Sequence, residues 1–177
     1  MNGLVGRLVG IGVKILPPTV HPMVVHFPIA LLYLTLMIEI LGYLLRPRHD
    51  RFFARASFWT LTLSLLAIVA AGAAGMVSEH FVKWSPKTSA MLSHHQRDAF
   101  FTGLFALIAW IVRLSSRFKD RDRSSWSVAR TGRGRMNPLS SLFVLGAVVM
   151  ISLTGILGGS MVYDHGVGIL HVTRQVR

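Results

Sequence analysis

The chain has 177 residues, is 52% hydrophobic and 15% charged, and has a mean hydropathy of +0.53. With apolar runs of about 20 residues, this composition is that of an integral membrane protein with room for one helical domain of four spans. The formal charge of +12 lies in short segments flanking apolar runs, the pattern of cytoplasmic membrane loops, which argues against nucleic acid as a partner. The absence of cysteine excludes disulfides, thiolate catalysis, cysteine-ligated iron–sulfur clusters and thioether-attached haem. Histidine is left as the only strong soft-metal ligand.

Residues 1–17 open the chain with a segment too short to cross a bilayer. Arg7 and Lys14 share one helical face among Leu4, Val5, Leu8, Ile11 and Ile15, which predicts an amphipathic helix lying in the membrane interface. A signal peptide is the rival reading, but Pro17-Pro18 follows where a small-residue cleavage site would be needed. The four-span domain covers residues 18–171, and 172–177 form a tail.

The first span is expected over about 22–45, with Pro22 at the first helical position and His21 just outside it. Pro28 is interior, cannot donate to the Val24 carbonyl and should kink the helix near His26; the freed carbonyl needs another partner or must face protein rather than acyl chains. Glu39 lies deep in the same span and reads as a protonated or paired carboxyl, with a proton relay as the sharper alternative. The second span, about 54–78, contains Ala71 and Gly75 at the spacing that lets helices approach closely. Ser93-His94-His95-Gln96 has the form of a capping box and predicts a third helix from His94 to about Arg113. Residues 113–137 are basic and rich in Ser and Gly. Asn137-Pro138 then caps a fourth span to about Tyr163. No internal repeat is visible.

The segments after spans one and three hold twelve of the nineteen lysines and arginines. By the positive-inside rule they are cytoplasmic, and both termini lie outside a bacterial inner membrane. Four alternating spans then carry seven of the eight histidines to the outer face, leaving His49 on the other. On the predicted helices His95 stands over Ala99, Thr102, Gly103 and Ala106, and His26 over Ala30 and Tyr33. Near His165 lie Gly155, Gly158 and Gly159. Histidines above small residues leave room for a flat apolar cofactor between helices, as bundles build such sites. A b-type haem with two histidine ligands fits. His94 and His95 at a helix start would be held neutral and able to bind metal. Arg97 is a candidate partner for haem propionates, and Asp164 for orienting a ligating imidazole.

The stretch from His21-Pro22 through Leu32, with Gly158-Gly159-Ser160-Met161-Val162-Tyr163-Asp164-His165-Gly166-Val167-Gly168, resembles a four-span membrane family catalogued as domain of unknown function 2231. The likeness covers about residues 18–170 and singles out His21, His26, His95 and His165. It implies no established activity. Some members are joined to Rieske-type iron–sulfur modules, and the resemblance thus implies electron transfer at the outer surface. This sequence differs in lacking such a module, in its amphipathic start and in its long basic loop, which suggest docking into a larger assembly.

The expected function is therefore a membrane subunit that binds haem b near the periplasmic face and takes part in electron transfer. It would not be an enzyme alone, and its partners would be lipid and other electron-transfer proteins. His26 and His95 are the first axial pair, with His21 and His165 completing the cluster. A zinc or copper site in the same place is one alternative, because neutral imidazoles suit those metals too. A non-redox accessory subunit of a respiratory or photosynthetic complex is another, and transport a third. No hydrolase spacing is present.

Overall fold

In the computed structural model, residues 3–45, 50–123 and 137–168 are described. They form an all-α membrane bundle. Helix α1 covers Leu4–Ile15, α2 Val20–Leu44, α3 Asp50–Ser78, α4 Pro86–Arg123 and α5 Pro138–Tyr163. A single 3₁₀ turn, Glu79–Phe81, follows α3. Helices α2 to α5 are each long and apolar enough to cross a membrane. Their outward faces carry Phe27, Leu66, Val69, Phe100 and Ile156, all well exposed, as expected for a surface solvated by acyl chains. Inside, Leu32, Leu61, Ala106, Ala109, Val144 and Ala147 have no exposed surface. Four alanines and valines among those six let the helices close on one another.

The bundle is two hairpins. Helix α2 packs chiefly against α3, and α4 against α5, with lesser contacts from α2 to α5 and from α3 to α4. Pro28 is fully buried, so the carbonyl it leaves unpaired lies on the protein-facing side of α2, one of the two outcomes the sequence allows. Helix α1 is a separate short helix, broken from α2 at Leu16–Thr19, and it rests on the end of α3. A side chain at Gly12 would meet Val77 Cγ2 at 2.7 Å, so α1 crosses α3 in close backbone approach. Its apolar residues Leu4, Val5, Leu8, Ile11 and Ile15 stay exposed, the arrangement an interfacial helix needs.

Several boundaries differ from the sequence reading: α3 begins at Asp50 rather than about residue 54, α4 runs on to Arg123 rather than ending near Arg113, and the starts of α2 and α4 move. Helix α2 starts at Val20, which places His21 inside its first turn rather than before it. Helix α4 starts at Pro86, two turns before His94. The capping pair is Ser85 and Thr88: the Ser85 amide donates to Thr88 Oγ1 at 3.0 Å and the Thr88 amide to Ser85 Oγ at 3.3 Å. Ser93 is mid-helix, its hydroxyl donating to the Ala90 carbonyl. The Ser-x-x-Gln pattern is outcompeted by one eight residues earlier, reinforced by Pro86 at the first helical position. His94 and His95 therefore lie beyond the first turn, where a helix dipole has little effect. The start of α5 is as read: Asn137 Oδ1 accepts from the Leu139 amide at 3.0 Å, with Pro138 next.

Candidate functional site

His21 and His95 meet at one end of the bundle. Their ring centroids are 6.1 Å apart and their planes stand at 82°. His21 Nδ1 lies 3.0 Å from the Ala71 carbonyl on α3, and His95 Nδ1 lies 3.0 Å from the Thr154 carbonyl on α5. A carbonyl can only accept, so each Nδ1 carries a proton, and in the neutral ring that leaves the lone pair on Nε2. No hydrogen bond occupies either Nε2 among the described residues.

The local sequence makes both seats in the same way. One turn beyond each accepting carbonyl stands a glycine. A side chain at Gly75 would sit 3.3 Å from His21 Nδ1, and one at Gly158 would sit 3.3 Å from His95 Cε1. The glycines thus admit imidazole rings. The space at Gly158, which the sequence reading leaves for a cofactor, is occupied by the His95 ring, and that at Gly75, read for close helix approach, is occupied by the ring of His21. Gly155 and Gly159 have nothing within 4 Å of an added side chain, so the open small-residue surface is displaced from Gly158. His21 is further fixed by its own amide, which donates to Ser78 Oγ at 3.3 Å, while that hydroxyl donates to the Pro18 carbonyl.

The other candidate residues stand apart from this pair. His26 is on an exposed face of α2 and makes no hydrogen bond among the described residues; the histidine that the structure brings to His95 is His21. His165 is half-buried beyond α5, with Nδ1 donating to the Ser160 carbonyl at 3.3 Å. Asp164 accepts from the Ser160 hydroxyl and has no hydrogen bond to an imidazole among the described residues. Arg97 is paired with its neighbour Asp98 at 3.0 Å. Tyr33 ties α2 to α5 through Ser152 Oγ at 2.7 Å. His80 is bonded locally to the Met76 carbonyl and His94 is exposed; His49 and His171 lie outside the described residues. The closing Gly166-Val167-Gly168 serves the backbone. Gly166, at φ +64°, turns the chain so that the Val167 amide reaches the Met161 carbonyl at 2.9 Å.

At the opposite end of the bundle is a second polar group. Glu39, 1% exposed, pairs with the Arg113 guanidinium. Arg113 also donates to Ser57 Oγ at 2.5 Å and to Ser140 Oγ at 2.6 Å, and Ser57 donates to Glu39 Oε1 at 3.0 Å. All four helices contribute to this cluster. Glu39 is therefore the paired carboxylate of the milder sequence reading. Arg117, Lys119, Arg121 and Arg123 belong to the last turns of α4, whereas Arg113 lies inside the bundle and not in a loop, so Arg113 leaves the count of basic residues on that side of the membrane. The sequence offered one overlooked signal for it: Glu39 follows His21, and Arg113 follows His95, by the same about five turns of helix.

The chain matches the family described as a predicted membrane protein, domain of unknown function 2231, over residues 17–171. No match is found among curated proteins or solved structures. With its four spans and a match covering nearly the whole length, the chain belongs to this family of multi-pass membrane proteins.

Proposed function

We propose that the chain is a membrane subunit that binds one haem b between His21 and His95 and passes electrons at the outer face. The carrying observation is the pair itself: two imidazoles 6.1 Å apart, each pinned through Nδ1–H to a backbone carbonyl, each with a free Nε2. Neutral imidazole with its other nitrogen anchored is the form in which histidine ligates metal. Ligand number favours haem, since a haem iron needs two protein ligands and structural zinc needs four. Among the described residues no group of three or more His, Asp or Glu is placed to hold one ion.

Haem would supply a one-electron couple. The chain's own contribution is to fix both ring planes, to hold both tautomers and to surround the pair with apolar helices that restrict water. The outer location rests on the basic asymmetry of the loops, which keeps its sign after Arg113 is removed from the count. One observation favours a non-redox accessory subunit instead: the rings fill the clefts above Gly75 and Gly158, so hydrogen bonding and helix packing alone account for both histidines.

A visible spectrum of the purified protein before and after dithionite separates the two. A low-spin b-type spectrum is expected in the wild type, lost or turned high-spin in His21→Ala and His95→Ala, and kept in His26→Ala and His165→Ala. A low-spin spectrum unchanged in His21→Ala and His95→Ala overturns the ligand pair. Zinc or copper in place of haem on metal analysis moves the site to that alternative. Absence of all three leaves the accessory-subunit reading.

A further inference from the structure

We infer that the membrane domain is two copies of one α-hairpin, related by a pseudo-two-fold axis along the bundle, and that Glu39 and Arg113 commit each hairpin to the other. No repeat is visible in the sequence, because the two helix pairs are related by different offsets, but burial and contacts match residue by residue. At one constant offset between α2 and α4, His21 corresponds to His95, Pro28 to Thr102, Leu32 to Ala106, Thr35 to Ala109 and Glu39 to Arg113. Every one of the last four pairs is buried in both helices. At one constant offset between α3 and α5, Ser57 corresponds to Ser140, Leu61 to Val144, Ser64 to Ala147, Ala71 to Thr154 and Gly75 to Gly158. The first four of these pairs are again buried on both sides.

The contacts repeat as well as the burial. His21 donates to Ala71 beside Gly75, and His95 donates to Thr154 beside Gly158, both at 3.0 Å. These are the same bond in the two hairpins. Ser57 and Ser140 are likewise the same residue, and they flank one guanidinium from its two sides. Residues equivalent under a two-fold axis meet across it. His21 meets His95 near one end of the axis, and Glu39 meets Arg113 near the other, about 27 Å away by helical rise.

The axis explains why the charges differ where the histidines do not. If two copies of the first hairpin paired, Glu39 would face Glu39. If two copies of the second paired, Arg113 would face Arg113. Either arrangement buries like charges in a membrane interior, whereas the observed pairing neutralises both. The same pair penalises any shift of α2 against α4, because a displaced Glu39 leaves both charges unmatched. Charge matching of this kind selects a partner by penalising the alternatives. The partner that each hairpin fits is thus a copy of the same fold with the opposite charge.

Exchanging the charges tests this. Glu39→Arg and Arg113→Glu singly are expected to lose most of the folded, monodisperse protein in mild detergent. The double exchange E39R/R113E is expected to recover most of it. An arginine moved to position 39 finds Ser57 and Ser140 on its two sides only if positions 39 and 113 are equivalent. A double exchange no better than either single variant overturns the symmetry. The neutral pair E39Q/R113Q separates pairing from folding. It should stay folded and gain a larger species on native sizing relative to wild type, as like hairpins become able to pair; an unchanged size distribution overturns the pairing role.

Discussion

The two ends of the bundle axis are built from the same positions to opposite effect. At one end His21 and His95 are chemically identical, each satisfied by its own hairpin through a carbonyl and a glycine. Neither ring depends on the other for its hydrogen bond, so both Nε2 atoms are left over. At the other end Glu39 Oε1 pairs with the Arg113 guanidinium across the axis, and two serines bond the same guanidinium. One end is internally complete within each hairpin and therefore has capacity to spare for a ligand. The other has its charges balanced across the interface, so it holds the halves together.

Breaking the ion pair should have the largest effect on the fold. Arg113→Ala strands a buried carboxylate, which costs about 3–5 kcal/mol by comparison with other buried pairs. Thermal unfolding in detergent should show a large drop in midpoint. Truncating both partners, E39A/R113A, should return part of it. A midpoint within a degree or two of wild type for Arg113→Ala would mean the pair is solvated and the contrast between the ends is lost.

The glycine seats come next. Gly75→Ala and Gly158→Ala each put a methyl group 3.3 Å from an imidazole, and overpacking of this kind costs about 1–3 kcal/mol. Both should also alter the haem spectrum if the rings ligate. Because the seats are equivalent, the two variants should behave alike; a large effect in one and none in the other would separate the hairpins. His21→Ala and His95→Ala remove one hydrogen bond each, worth about 1 kcal/mol, and if the rings ligate haem they should abolish the low-spin spectrum. Stability and spectrum thus part company at the histidine end, and they should not do so at the charged end.

The smallest expected effect is at His26. Its exposed position predicts a stability change within about 0.5 kcal/mol for His26→Ala, with the spectrum retained. Loss of the spectrum in this variant alone would restore His26 as a ligand and sharpen the question of what covers that face.

Much of the architecture was legible in the chain itself. Four apolar runs, Pro28, the Asn137-Pro138 start and the amphipathic spacing of Arg7 and Lys14 act through local backbone chemistry or total hydrophobicity, neither of which needs a partner. The helix start near His94 was misread for a local reason as well: Ser85-Pro86 with Thr88 is the stronger capping sequence. Which histidines meet was a different kind of question. His21 and His26 are both plausible from sequence, because a helix with apolar residues on every side gives no signal of which face is buried. Only packing against α3, where the Ala71 carbonyl and Gly75 form a seat, turned His21 inward and left His26 facing out. The same holds for Arg113, which its neighbours in sequence assign to a basic loop and which Glu39, Ser57 and Ser140 draw into the bundle. The sequence by itself determined that the chain has four helices long and apolar enough to cross a membrane, since hydropathy is a property of consecutive residues. The tertiary structure alone decided the His21–His95 pair, the Glu39–Arg113 pair and the two-fold relation between hairpins, because each depends on distances between helices that no local preference encodes.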